Sequence, residues 1–375
     1  MISLIIECCK TDQNTTNIKK SISDIHDWKE FINLAFSHGV FPLVYHTLKT
    51  YDKLIPNDIL KSMKTHNRNI AQQNMLMSVE LIKVMKLLKE NNIEAIAFKG
   101  PTLAQMAYGD ISLRQFSDLD ILIAQEDILK AYNLLSTFST TETKYEYLQN
   151  DLYMDKLNDI TFIHNTNNIL IELHWNLFQK QFSDTFSFSD ILKTKQDLQI
   201  QHHTFSIFSN EILLVYLCMH GSKHSWERIS WILDIDRILR IHQDLDWDFI
   251  EQQAKKLECE TMLDLGLSLT KKLFDTPIMY KYNSNPKLIE YVETSFTDLP
   301  LTKTEFTINY NGFKFRYMLH DNFLSKTRYL LKTLFPINAQ DVSFVQLPQK
   351  LYFLYYAIKP LRLSLKYTQK LFNHS

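Results

Sequence analysis

Asp118 and Asp120 stand two residues apart in Ser117-Asp118-Leu119-Asp120-Ile121-Leu122-Ile123. In an extended chain alternate side chains share a face, so the two carboxylates project to one side about 6–7 Å apart. Two acids that close invite a divalent cation, while Leu119, Ile121 and Ile123 face the opposite way and anchor the strand. A third acid, Glu172, lies within Ile169-Leu170-Ile171-Glu172-Leu173-His174-Trp175, flanked by Ile171 and Leu173. If that strand pairs beside the first, three carboxylates converge. Oxygen donors suit Mg²⁺, and two such ions form the usual apparatus for in-line phosphoryl or nucleotidyl displacement. Lys99-Gly100 upstream and Arg114, four residues before Asp118, add positive charge.

The elements that must position these groups follow from periodicity. Residues 1–94 read as helical, with Leu76, Val79, Ile82, Met85, Leu87 and Leu88 as the apolar stripe of a long helix ending at Asn91-Asn92. The period then shortens. Glu94 to Phe98 reads as a strand stopped by Lys99-Gly100-Pro101, and Phe116 to Ile123 as a second. A helix from about Glu126 to Phe138 leads to two alternating runs, Asp159 to His164 and Ile169 to Trp175, joined by the turn Asn165-Thr166-Asn167-Asn168. Helical spacing resumes at Glu211 to His220, Ile229 to Ile241, Asp248 to Leu257 and Thr261 to Phe274. The segment from Leu301 to Phe315 reads as extended structure or a loop, and residues 323–375 as helix broken at Pro336, Pro348 and Pro360. The expected organisation is a helical region over 1–92, a mixed α/β core over 93–176, a helical domain over 177–300 and a basic, mainly helical region over 301–375.

The order strand, Lys99-Gly100, helix, Arg114, Ser117-Asp118-Leu119-Asp120-Ile121-Leu122-Ile123, helix, strands and Glu172-Leu173-His174-Trp175 resembles the DNA-polymerase-β-like nucleotidyltransferase superfamily. It is most similar to the superfamily's bacterial nucleotidyltransferase-like branch, where a downstream His-Gly-x-x-His helix also recurs, here His220-Gly221-Ser222-Lys223-His224. The match spans roughly residues 93–240. The resemblance implies an α+β protein with a minimal nucleotidyltransferase fold, a small mixed sheet flanked by helices, embedded in a mainly helical chain. It implies that Asp118, Asp120 and Glu172 bind metal, two Mg²⁺ ions with Mn²⁺ as the alternative, and that ATP or another NTP is the substrate. The superfamily presents Gly-Ser or Gly-Gly after the first strand, whereas this chain has Gly100-Pro101-Thr102 and a longer interval to Asp118. The resemblance therefore puts Thr102 in place of the phosphate-binding Ser, with Lys99, Gly100 and Arg114 completing that contact.

His220 and His224 sit four apart and share a helix face, the spacing of a zinc protease motif, but Gly221 replaces the glutamate base that chemistry requires. Two readings stay open: Lys223, His224 or Arg228 reaches phosphate, or the segment docks the helices onto the sheet. From Phe323 onward eight bases face Asp341 alone, which fits either an anionic partner or a solvated basic face.

Composition narrows the class. The 375 residues carry 41 Lys+Arg against 42 Asp+Glu, with 45% hydrophobic and 22% charged residues, which excludes wholesale disorder and collagen-like structure. Six glycines argue against a Gly-rich phosphate loop. Four cysteines without C-x-x-C pairing, no leader-like start and no apolar run near 20 residues read as a soluble, cytoplasmic protein with reduced thiols and no transmembrane segment. The leading expectation is transfer of a nucleoside monophosphate from an NTP to an acceptor hydroxyl, with release of pyrophosphate. A non-catalytic nucleotide-binding or regulatory module and an RNA-end-modifying nucleotidyltransferase are the alternatives. The acceptor, whether small molecule, peptide or RNA, carries no motif in the sequence.

Overall fold

The computed structural model describes residues 1–149, 154, 157–178, 186–200, 202–283, 285–297, 305–334, 344–345, 347, 351 and 354–362. Contacts divide the chain into two compact units, Met1–Leu319 and His320–Ser375.

In the first unit four short helices, α1 (Ile2–Cys9), α2 (Thr15–Ser23), α3 (Trp28–Ser37) and α4 (Phe41–Leu48), precede the long α5 (Asn57–Glu90). The face that α5 buries is not the expected stripe. Met77, Leu81, Val84 and Leu88, spaced four, three and four apart, are buried, whereas Leu76 and Val79 are 55% and 42% exposed. Both sets repeat at helical spacing, and only contact with the sheet selects between them.

The sheet has strands β1 (Ala95–Ala97), β2 (Asp118–Ile123), β3 (Ser139–Thr140), β4 (Asp159–His164) and β5 (Leu170–His174) in the order β1-β2-β5-β4-β3. Only β2 and β5 run parallel; the other pairs are antiparallel. α6 (Gly100–Tyr108) follows β1, while α7 (Ile128–Leu135) and α8 (Tyr145–Leu148) lie between β2 and β4. The β4–β5 turn closes as its asparagines suggest, with Asn168 at φ 55° and its N–H donating to the His164 carbonyl. Leu119, Ile121 and Ile123 of β2, Ile171 and Leu173 of β5, and Ile160 and Phe162 of β4 all enter one apolar core with Leu81 and Leu88. Each such side chain contributes roughly 1.5–3 kcal/mol by leaving water. That burial forces the alternate residues of β2, β5 and β4 onto the opposite face.

Among the described residues the remaining α-helices of this unit are α9 (Phe188–Thr194), α10 (Asn210–Lys223), α11 (Ile229–Ile241), α12 (Trp247–Lys256), α13 (Glu260–Phe274), α14 (Pro286–Thr297) and α15 (Glu305–Met318). The hairpin β6 (Gln196–Ile200) and β7 (His203–Ile207) interrupts a stretch expected to be helical. α15 corrects the extended or loop reading of its segment; residues 301–304 lie outside the described residues. In the helical part Gly221 of α10 is a packing residue, because a Cβ there would sit 2.3 Å from the Trp226 ring.

The second unit contains α16 (Phe323–Leu334) and a helical stretch over 355–362 that continues through Pro360, where a break was expected. Lys359 and Arg362 are buried, both 8% exposed, rather than displayed on a basic surface. Pro336, Pro348, Lys350, Lys366 and Lys370 lie outside the described residues. Among the described residues no helix is long and apolar enough to cross a membrane.

Candidate active site

The register of the three central strands builds the site. Asp120 of β2 pairs with Glu172 of β5, and Glu172 pairs with Thr161 of β4. Two residues along, Leu122 pairs with His174, and His174 with Asp159. Directly paired residues point to the same side of a sheet. Asp118, Asp120, Glu172, His174 and Asp159 therefore share the face opposite the apolar core. With residues of α10 and α11, Asp118, Glu172, His174 and Asp159 line a cavity of about 550 Å³, while Asp120 on the same face is buried.

Asp120 is the electrostatic centre. Its carboxylate is buried, and the Lys99 ammonium lies 2.7 Å from Oδ1. His174 Nε2 is 3.3 Å from the same oxygen and 3.4 Å from Glu172 Oε2. Burial pushes the Asp120 carboxyl upward, but Lys99 and His174 outweigh it and hold it at about 2. Asp118 lacks such partners: burial first, then the Asp120 charge, push it up to about 6. Asp159 is likewise raised by burial. For His174 burial favours the neutral ring, but Asp120 and Glu172 prevail and raise it to about 9. Oxygen or nitrogen atoms of Asp120, Glu172 and His174 all lie within 4.8 Å of one another. Beyond these ion-pair contacts, neither oxygen of Asp120 and neither ring nitrogen of His174 has a well-directed hydrogen-bond partner. Buried polar atoms left this way are costly, and a cation between them satisfies them. The residues present thus fit a divalent metal.

Gly100 opens α6 at φ +54°, and a Cβ there would lie 3.0 Å from the Asp118 carbonyl oxygen. Glycine allows the helix N-terminus to approach the acidic strand this closely. Thr102 does not reach the cavity lining; it is fully buried, and its hydroxyl donates to the Lys99 carbonyl at 2.8 Å. Arg114 lines the cavity, but its guanidinium is spent on Asp234 of α11, with Nε and Nη2 each donating to a carboxylate oxygen at 2.9 Å. The Tyr108 hydroxyl donates to Asp234 as well, and Asn74 holds the Arg114 carbonyl. This network ties the start of β2 to the helical part.

The opposite wall comes from α10, α11 and the turn between them. Tyr216, His220, His224 and Trp231 form a continuous run of ring contacts, and the Arg228 guanidinium lies 5.8 Å from the Trp231 ring centre. His224 is held neutral down to about 4, first by burial and then by Lys223; His220 is lowered further, also by burial. Lys223 is lowered by burial too and faces Asp159 across the cavity. Among the described lining residues Lys223 and Arg228 form no ion pair, unlike Lys99 and Arg114. Asp159, Tyr216 and Trp231 escaped the sequence reading as site residues. The signal for Asp159 was its period-two spacing with Thr161, which becomes informative only once β4 is paired with β5.

Two solved structures are similar to part of this chain. The antibiotic-resistance factor ANT(2'')-Ia aligns at 11% identity over 48% of this chain and 91% of its own, with a TM-score of 0.34. An antigenic nucleotidyltransferase-like protein from Paracoccidioides brasiliensis aligns at 13% identity over 58% of this chain and 91% of its own, with a TM-score of 0.32. No curated protein matches the sequence. The model of a family described as uncharacterised nucleotidyltransferase matches residues 24–275, which include every residue of the acidic face and both walls of the cavity, and the chain belongs to that family.

Proposed function

We propose that the protein transfers a nucleoside monophosphate from an NTP to an acceptor hydroxyl, with release of pyrophosphate. The observation that supports this most is the in-register Asp120–Glu172 pair, with Asp118 on the same strand: Asp118 and Glu172 line a cavity whose far wall presents the unpaired cations Lys223 and Arg228. A cleft with acids on one wall and free cations on the other suits a metal–polyphosphate. Its volume falls within the range of small-molecule sites.

Asp118, Asp120 and Glu172 would hold the metal, Mg²⁺ or Mn²⁺. When bound, the ion supplies charge for the phosphate oxygens and lowers the pKa of the acceptor hydroxyl. The chain's own groups do the rest. Gly100 opens α6 beside the Asp118 backbone and lines the cavity, where its own N–H can donate to a phosphate oxygen; Pro101 after it has no N–H to offer. Lys223 and Arg228 neutralise the triphosphate, and His224 and Trp231 shield it from water. The acceptor oxygen forms a bond to the α-phosphorus as the bond to the bridging oxygen breaks. Pyrophosphate leaves with that electron pair, and the hydroxyl proton passes to a carboxylate of the acidic wall. Arg114 acts through Asp234, fixing the distance between the walls rather than touching phosphate.

The test is incubation of the full chain with Mg²⁺ or Mn²⁺, each α-labelled NTP and fractionated cell extract. The expected result is label in one fraction, absent with Asp120→Asn. Nucleotide binding without transfer to any fraction supports the non-catalytic binding module instead.

A further inference from the structure

The family pattern assigns three carboxylates to the metal, yet the donor set that the fold gathers most tightly contains an imidazole. We infer that His174 is itself a metal ligand, oriented by Asp159, and that the site therefore takes a first-row transition-metal dication in preference to Mg²⁺. This rests on the reading of the site as a metal-assisted nucleotidyl-transfer centre.

The first support is spacing. His174 Nε2 stands 3.3 Å from Asp120 Oδ1 and 3.4 Å from Glu172 Oε2. Around an ion with bonds of about 2.1 Å, adjacent donors lie about 3.0 Å apart in octahedral and about 3.4 Å apart in tetrahedral geometry. The nitrogen therefore already occupies a ligand's position relative to both oxygens. The second support is burial without satisfaction: His174 is 6% exposed, and neither ring nitrogen has a well-directed hydrogen bond. The third is what stands behind the ring. Asp159, its partner across β4 and β5, places Oδ2 3.9 Å from Nδ1, and Asn158 donates to that same oxygen. At 3.9 Å this is not a hydrogen bond, but a small turn of the ring onto a metal lets the carboxylate accept from Nδ1–H, the tautomer that leaves the Nε2 lone pair for the ion. The Phe98 ring, edge-on with centroids 5.2 Å apart, limits rotation of the imidazole.

The chemistry then sets the preference. Mg²⁺ favours oxygen donors and gives up water reluctantly, whereas imidazole suits Fe, Ni, Cu and Zn; Mn²⁺, the weakest binder of the series, takes carboxylates and still accepts an imidazole nitrogen, which makes it the most stringent probe. Lys99, 2.7 Å from Asp120 Oδ1, must yield that oxygen to any ion.

Direct metal binding tests the inference, with Mn²⁺ as probe and Mg²⁺ as competitor on the full chain. Pulsed EPR of bound Mn²⁺ should display hyperfine coupling to an imidazole nitrogen. His174→Gln should abolish that coupling and weaken Mn²⁺ at least tenfold while changing Mg²⁺ affinity less than threefold. Asp159→Asn should weaken Mn²⁺ three- to tenfold and leave the nitrogen coupling in place. Bound Mn²⁺ without nitrogen coupling, or equal losses of both metals in His174→Gln, overturns the inference and leaves the nucleotidyl-transfer reading standing. No divalent ion bound, with or without NTP, overturns both. If His174→Gln fails to fold, the nitrogen coupling of the parent protein decides by itself.

Discussion

Asp118 and Asp120 lie on one strand and one face, yet their environments are opposed: Lys99 sits 2.7 Å from Asp120, and among the described residues no cation lies within ion-pair distance of Asp118. Two carboxylates that look equivalent in the sequence therefore differ in what they do to stability. Asp120 is part of a buried ion pair. Asp118 bears a charge that burial and its neighbour both oppose.

Asp118→Asn should accordingly stabilise the metal-free protein above about pH 6. A carboxyl raised from the ordinary range to about 6 binds its proton more tightly in the folded state, so it favours folding at low pH and loses that contribution as pH rises from about 4 to 6. At pH 8 the variant gains at most about 3 kcal/mol. Thermal melts should show a higher Tm at pH 8 and no difference near pH 3.5; a lower Tm at pH 8 would contradict the assignment.

Asp120→Asn should do the reverse, because it leaves the half-buried Lys99 ammonium without its partner. Breaking a buried pair by removing one member costs about 3–5 kcal/mol. Lys99→Met in turn removes the cation that competes for Asp120, so calorimetric Mn²⁺ affinity without nucleotide should rise, by tenfold or more. An unchanged affinity would mean that Lys99 does not oppose the ion.

The Arg114–Asp234 pair makes a prediction about geometry rather than charge. Asp234→Asn keeps the shape and loses the bidentate ion pair, and should destabilise by about 3 kcal/mol or more. Arg114→Lys should not restore the loss, since an ammonium cannot span both oxygens. Urea denaturation of the two variants is the check.

His38 and His224 are both held neutral, down to about 4, chiefly by burial. The unfolded chain protonates them near pH 6.5, so their contribution to stability is complete above that pH and is lost as pH falls toward 4. Replacing either with Gln should flatten the fall in Tm over that window. A parallel fall in the variants would assign the acid sensitivity elsewhere.

How much of this was legible in the sequence follows from how local each signal is. β4 and β5 alternate cleanly because one face meets the core, and their asparagine turn is local chemistry, so both strands and Glu172 could be placed. The hairpin β6–β7 was not legible: Gln196, Asp197 and Gln199 leave little apolar alternation, and only Ile200, Phe205 and Ile207 bury deeply. The stripe on α5 was ambiguous because two sets share the helical period. Lys99 and Glu172 line the cavity, but Arg114 is claimed by a partner 120 residues away, and the Thr102 hydroxyl turns back to the Lys99 carbonyl. No local pattern encodes such pairings. Asp159, readable only as a turn acid, became a site residue through strand register.

Glu172→Gln gives the most direct test of nucleotidyl transfer on this acidic face. With an acceptor fraction in hand, nucleotide affinity and turnover are measured on that one variant with the preferred metal. The account predicts NTP affinity within about threefold of the parent and turnover lower by two or more orders of magnitude, roughly 3 kcal/mol in the barrier. Normal turnover, or a loss of NTP binding as severe as in Asp118→Asn, would contradict it.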